Sequence, residues 1–378
     1  MKLPVVAWPR FSALIAALLM GVMLASCSTS PRPKPKDLGP VATIEAKLRW
    51  QTNVGVSTTG QLLAVQNGRI ALANDKGEVQ VLDASNGQLV WKFDARNRID
   101  SGVGFDGIRA AVVTQTNQLM VIHGGQLVWQ VRLPARSFTP PLLAGGRVFL
   151  LLADRSVMAL DGESGGLIWH LREDTDPLVL QQPGLLTHLN NKLLVGQSAR
   201  LLRINPQNGT VEVQSTLAVS RGLNDLERLI DLIAPASLTP ERLCVVAFQT
   251  QLSCVNPNTG NLLWSRSTTS TVGLSADASA LANVQENGVV RLWNTQTNQM
   301  TWDSEILKFR SLRTPILSAK QVLVADESAT LYALDRKDGQ LLGRLATGMG
   351  PLSGEPLLTP QGVLLLGRNG QLRLYEGL

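Results

Sequence analysis

A few stretches of this chain carry residue types that could do chemistry. Gly102-Val-Gly104-Phe-Asp-Gly107 has the letters of a dinucleotide fingerprint. That fingerprint works only where a strand feeds a helix whose N-terminus holds a pyrophosphate. Here the glycines lie between two strand-like runs and no helical pattern follows. Gly162-Glu-Ser164-Gly-Gly166 spells a nucleophile elbow, which would lift a serine out of a strand-to-helix turn. The same turn recurs elsewhere in the chain with Asn or Thr in place of that serine, so the spacing reads as structural. His123, His170 and His188 are scattered, with no ligand spacing to one another or to cysteine. The carboxylates form no close pair suited to acid–base work. No catalytic residue, metal site or cofactor is expected. Cys244 and Cys254 remain. A turn centred near Gln249 would set them opposite each other on neighbouring strands, within reach of a disulfide; two small buried residues are the other reading.

These segments belong to a repeat. Apolar residues alternate from Arg155 to Asp161, a turn of small and polar residues ends at Gly165, and a second apolar run closes on Trp169. Period-two alternation makes strands of the flanks. Asp, which bonds its own backbone, and Gly, which accepts a positive φ, make the turn. Equivalent polar anchors stand at Asp83, His123, Asp161, Asn205, Asn256, Asn294, Asp335 and Glu376, spaced 40, 38, 44, 51, 38, 41 and 41 residues apart. A further strand opens fourteen residues before each anchor, for example at Arg69 and Gln321, and another lies ahead of that. A period of about 40 residues with four strands reads as a propeller blade. The expected fold is therefore all-β: an eight-bladed β-propeller of four-stranded antiparallel blades over residues 46–378. The last repeat stops two residues past Glu376 and lacks its outer strand. Lys47-Leu-Arg-Trp50-Gln-Thr resembles the missing piece, so residues 46–53 are expected to close the ring and cover its open edge.

Ahead of the ring, Lys2 and Arg10 precede an apolar run from Phe11 to Ala25, which suits a signal peptide over residues 1–26 better than a membrane span. Leu24-Ala-Ser-Cys27 resembles the bacterial lipoprotein cleavage box, in which the cysteine becomes the first residue and takes lipid. Ser28 follows, and the sorting rule of such lipoproteins then implies the outer membrane. Residues 27–45 read as the lipidated Cys27 followed by a Pro-rich, charged tether that holds the ring off the membrane without packing. The formal charge of +6 falls to +4 without Lys2 and Arg10, and no Lys/Arg cluster interleaves with aromatics, so nucleic acid is not an expected partner. Trp91, Trp129, Trp169, Trp264 and Trp302 share one place in their repeats, with Trp50 in the closing strand. That regularity predicts packing between blades, and it counts against a sugar or peptidoglycan site built from tryptophan. The long interval after Asn205 holds an insertion, 221–232, with leucines at helical spacing, expected as a short helix or ordered loop on one rim.

The repeat resembles that of quinoprotein dehydrogenases, which bind pyrroloquinoline quinone; a quinone-dependent oxidoreductase is the alternative function. The whole chain, with cleavage box, tether and eight repeats, resembles the BamB family of outer-membrane assembly lipoproteins over residues 20–378. That resemblance implies a non-catalytic scaffold on the periplasmic face of the outer membrane, docking on the POTRA domains of BamA within the assembly complex. In that family the contact surface includes a Leu-x-Leu-Arg loop and an Asp-Arg-Leu-x-Asp segment. Leu178-Val-Leu180-Gln181 matches the first with Gln for Arg, and Glu227-Arg228-Leu-Ile-Asp231 matches the second with Glu for its leading Asp. Leu178, Leu180, Arg228 and Asp231 are thereby implied as partner-binding: leucines for apolar anchorage, charges for register. Blade edges offer a further expected use, transient addition of a strand from a nascent outer-membrane protein.

Overall fold

Polar turns cut the chain into short strands, and antiparallel neighbours gather them into eight sheets of four. The computed structural model describes residues 33–58, 63–172, 178–219 and 229–378. Residues 36–378 form one compact unit, and of the unit 1–35 only residues 33–35 are described. The described strands make eight four-stranded sheets. In chain order, blade 1 spans 64–94, blade 2 99–132, blade 3 142–171, blade 4 186–216, blade 5 232–267, blade 6 275–304 and blade 7 316–346. Blade 8 takes three strands from 357–376 and its fourth, Lys47–Asn53, from the other end of the chain. Lys47 pairs with Glu376 and Asn53 with Gln371, so the ring closes as the sequence predicts. This is an eight-bladed β-propeller.

Burial follows position within each blade. The second and third strands are covered on both faces, as in Arg69–Ala73 and Glu78–Asp83, because each blade is sandwiched between two others. The outer strands alternate or face solvent, as in Leu89–Asp94. The core is correspondingly divided into eight clusters, one per interface between successive blades. The cluster joining Leu364, Leu366, Leu372 and Leu374 of blade 8 to Ile70, Leu72 and Leu82 of blade 1 is the seam.

The recurring spacing within the repeat has a mechanical cause. The Asp161 carbonyl accepts the Gly165 amide at 2.9 Å, and its carboxylate accepts the Ser164 amide at 2.8 Å. The turn needs φ +74° at Gly165, where a Cβ would also stand 2.6 Å from the Trp129 ring of the preceding blade. Trp129 Nε1 donates to the Gly162 carbonyl at 3.0 Å. Trp50, Trp169 and Trp302 dock on the next blade the same way, through Ala84, Pro206 and Arg336. The repeat spacing thus sets one blade's indole on the next blade's turn. Those three and Trp264 are buried, and Trp91 and Trp129 are partly so. Ser164 itself donates to Asp161 at 2.7 Å, and the fingerprint glycine Gly104 is required because a Cβ there would meet the carbonyl of Pro141, the residue that enters blade 3.

The tether departs from its sequence expectation. Residues 36–46 pack across blade 7 instead of standing free. Arg310 donates to the Lys36 carbonyl at 2.6 Å, and Leu38 packs into the cluster between blades 6 and 7. The Arg344 amide donates to Ala42 and its carbonyl accepts from Ile44, at 2.9 and 3.1 Å. The reason lies in Gly343. It occupies the place where six other outer strands carry Trp. The missing side chain leaves room for Ile44, whose Cγ1 would lie 3.2 Å from a Cβ at that site. Ile44 and Ala46 then join the cluster between blades 7 and 8. Nothing within residues 36–46 alone signals this, because the vacancy is encoded some 300 residues away. Replacing Gly343 by Trp is expected to eject the strap. Hydrogen exchange at the Ile44 amide should then approach that of an open chain; unchanged protection would refute the account.

Ion pairs also join blades. Arg336 of blade 7 meets Asp277 of blade 6 at 2.7 Å and also donates to Ser279. Burial opposes the charge on Asp277, but the Arg336 hydrogen bonds and the Ser279 and Ala280 amides outweigh it, and its pKa falls from 3.8 to about 2. A carboxyl depressed in the folded state stabilises above its unfolded value and loses that contribution as pH falls through the folded one. Asp277→Asn should therefore be less stable than the parent at pH 6, and the gap should close between pH 4 and 2. Urea melts at both ends of that range check it; a pH-independent gap would assign the loss to something other than this charge.

Candidate docking rim

The described residues implied as partner-binding fall on the rim formed by the connections between blades, opposite the anchor turns. Leu178 and Leu180 lie on the connection from blade 3 to blade 4, and Asp231 immediately precedes blade 5. Arg228, the 221–228 part of the insertion and Cys27 lie outside the described residues.

The structure brings the two described segments into direct contact. One Asp231 carboxylate oxygen accepts the Leu180 amide at 2.8 Å, and the other pairs with Arg155 Nη1 at 2.5 Å. Arg155 also donates to the Leu178 carbonyl. Pro183 accepts the Ala234 amide at 3.0 Å, and Leu185 donates to Leu232 at the same distance, so the chain entering blade 4 is laced to the chain entering blade 5. The two leucines divide their roles. Leu178 is 40% exposed, whereas Leu180 packs partly against the cluster between blades 5 and 6. Gln181 is exposed beside them. Asp231 therefore acts first within the chain: its carboxylate shapes the loop that presents Leu178.

Arg155 is the residue that sequence reasoning missed. It sits in the hairpin turn of blade 3 at φ +62°, and its side chain is 4% exposed. The same turn takes a left-handed residue in every blade: Gly77, Asn117, Ser198, Gln249, Gly288, Ala329 and Gly370 elsewhere. A lone Arg in a turn reads as a solvated charge, and its acidic partner lies 76 residues further on. No local signal links them. Gln197 of blade 4, itself buried, donates to the Arg155 carbonyl at 2.8 Å, so this one residue ties three blades together.

Inside the same rim the central channel opens into a cavity of about 640 Å³. Arg98, Arg136, Arg313, Asp100, Glu355, Gln181 and Phe248 are among its walls. In blade 5, Cys244 and Cys254 pair across adjacent strands and are joined in a disulfide. His123, His170 and His188 are kept apart on blades 2, 3 and 4. Among the described residues, no group of three His, Cys, Asp or Glu side chains is arranged to hold a metal ion, and no described helix is long and apolar enough to cross a membrane.

Comparison with known proteins agrees with this architecture. The chain is 29% identical to the outer membrane protein assembly factor BamB of Bordetella pertussis, over 94% of this chain and 95% of that one. Its structure superposes on that of BamB from Moraxella catarrhalis with a TM-score of 0.79 at 20% identity, covering 87% of this chain and 99% of the other. A quinohemoprotein alcohol dehydrogenase from Comamonas testosteroni shares the fold at TM-score 0.67, with 10% identity, over 87% of this chain and 76% of its own. The profile of the family described as outer membrane protein assembly factor BamB matches residues 41–101 and 75–342. With most of the ring inside that match, the chain belongs to the BamB family of outer membrane protein assembly factors.

Proposed function

We propose that this chain is a non-catalytic scaffold for outer-membrane protein assembly, anchored to the outer membrane on its periplasmic face by lipid on Cys27. Its partner is BamA, whose POTRA domains dock on the rim built from residues 178–181 and the segment ending at Asp231. The observation that carries this reading is the Arg155–Asp231–Leu180 linkage. It holds an exposed leucine loop in one conformation, as a docking surface requires, because ordering the loop beforehand lowers the entropy lost on binding. In this arrangement Leu178 supplies contact area, Arg228 an orienting charge, and Asp231 mainly the loop's shape. Family membership supports the function, and the quinoprotein likeness rests on fold alone.

The test is co-purification from membranes at native expression. Leu178→Ala combined with Leu180→Ala should release BamA while leaving the ring folded, and Asp231→Lys, which also breaks the pair with Arg155, should release BamA through loss of the loop's shape. Retention of BamA by all of these variants would refute the assignment. Adding pyrroloquinoline quinone and calcium, then assaying bound absorbance and dye reduction, checks the oxidoreductase alternative.

A second reading has its own support. Outer strands carry exposed apolar pairs, such as Leu89 with Val90 and Leu167 with Ile168. Blade 7 already accepts an added segment at its edge, where Thr43 bridges Arg344 in parallel. Other edges are suited to take up a nascent outer-membrane strand in the same way. Site-directed crosslinkers at Leu89 and Leu167 should then capture unfolded porin; their failure would remove this role.

A further inference from the structure

The cavity behind the docking rim has a charge pattern that the leucine loop does not explain. Three arginines and two carboxylates are among its walls. Two of the arginines are matched: Arg98 lies 3.8 Å from Asp100, and Arg313 lies 3.8 Å from Glu355. Glu355 also accepts the Thr314 amide, and Asp100 accepts from Gln115. Both carboxylates are therefore committed. Arg136 is exposed, and among the described residues its guanidinium makes no hydrogen bond or ion pair. Its own backbone is firmly held, since its carbonyl accepts the Ala153 amide at 2.7 Å on the strand turn that carries Arg155. Arg136 is thus an unmatched cation on a held backbone, lining the same cavity as Gln181. Gln181 is uncharged, so the leucine loop brings no cation at that position.

We propose that Arg136 receives a carboxylate of the docked partner, so that an acidic side chain beside the leucine contact enters the channel mouth. This deepens the docking reading above and rests on it. A guanidinium matches a carboxylate with two parallel donors. With Arg98 matched by Asp100 and Arg313 by Glu355, the formal excess of one positive charge over the residues named is that of Arg136. The neighbouring Phe138 and Phe248 limit how far water can surround the pair. The partner segment that fits is acidic rather than purely apolar, with its carboxylate reaching past Gln181.

The experiment compares the full chain with Arg136→Lys, Arg136→Gln and Arg136→Glu for binding to the purified POTRA region of BamA at low and high salt. Arg136→Glu is expected to weaken binding at least tenfold, and Arg136→Gln several-fold. Arg136→Lys should retain most affinity, and the salt dependence should flatten in the Gln variant. Melting temperatures should not move, because the side chain is exposed. A partner carrying Lys at the matching acidic position should recover affinity for Arg136→Glu. Binding within twofold of the parent for Arg136→Glu would overturn the proposal while leaving the docking reading intact. No binding by the parent chain would overturn the docking reading and this proposal with it. Inorganic phosphate and citrate form a second arm. Saturable binding of either that is lost in Arg136→Gln, with POTRA binding unchanged, would overturn the docking role and reassign the mouth to a small free anion.

Discussion

Truncating Trp50 to Ala is expected to destabilise the ring by about 3–5 kcal/mol, the range for a large buried aromatic. Deleting residues 47–53 should do more, turning a cooperative unfolding transition into a broad one and promoting aggregation. Trp50 is 8% exposed, donates to the Ala84 carbonyl at 3.1 Å and packs among leucines of blade 8 and aliphatics of blade 1. Other tryptophans seal joints that the chain also crosses covalently. At blade 8 the same crossing leads from Lys47–Asn53 into blade 1, but that strand is held to the rest of its own blade by pairing alone, with residues more than 300 positions away. Without Lys47–Asn53, the strand Gln371–Glu376 would present a row of unpaired amides and carbonyls, a template for association. Urea unfolding followed by circular dichroism, together with light scattering, measures both effects. Trp91→Ala, at a partly buried site on a strand joined covalently to the rest of its blade, is the comparison and should lose less. A deletion variant that stays monomeric with the parent's midpoint would contradict the closure argument.

The second large effect concerns Arg155. Arg155→Met is expected to cost about 3–5 kcal/mol, because it strands a largely buried carboxylate. The pair is 4% and 15% exposed at its two side chains. The loss should appear first at the rim. The Leu180 amide, held by Asp231, should exchange faster with solvent, and affinity for the partner should fall although Arg155 is not on the surface. Removing both charges, as Arg155→Met with Asp231→Leu, should restore much of the stability but not the loop geometry. That outcome separates the cost of an unpaired charge from the worth of the pair. Arg155→Met with unchanged Leu180 exchange and stability within about 0.5 kcal/mol of the parent would show that the linkage does not order the rim.

The two effects differ in how far the sequence announces them. Trp50 is legible because the repeat makes it so: a Trp four residues after a turn glycine recurs at Gly87, Gly165 and Gly260, and the closing strand shows the same residue without its turn. Eight anchors at near-constant intervals leave few folds that could satisfy them, since a single four-stranded unit cannot cover its own faces. The leucines of the rim are legible only through resemblance, because Leu178 and Leu180 carry no local pattern that distinguishes contact from core.

Strand order, blade count, the borrowed outer strand and the inter-blade role of tryptophan were all set by local pattern: alternation of period two, turn chemistry, and repetition. These are short-range properties, so the sequence by itself determines them. The pairing of Arg155 with Asp231, the strap seated in the vacancy left by Gly343, and the isolation of Arg136 at the channel mouth were decided only by tertiary structure. The first two join groups tens to hundreds of residues apart, and the third leaves a charge without a partner; all depend on how the ring curves. A charge in a turn looks the same in sequence whether water or a buried carboxylate faces it, and only folding chooses between them.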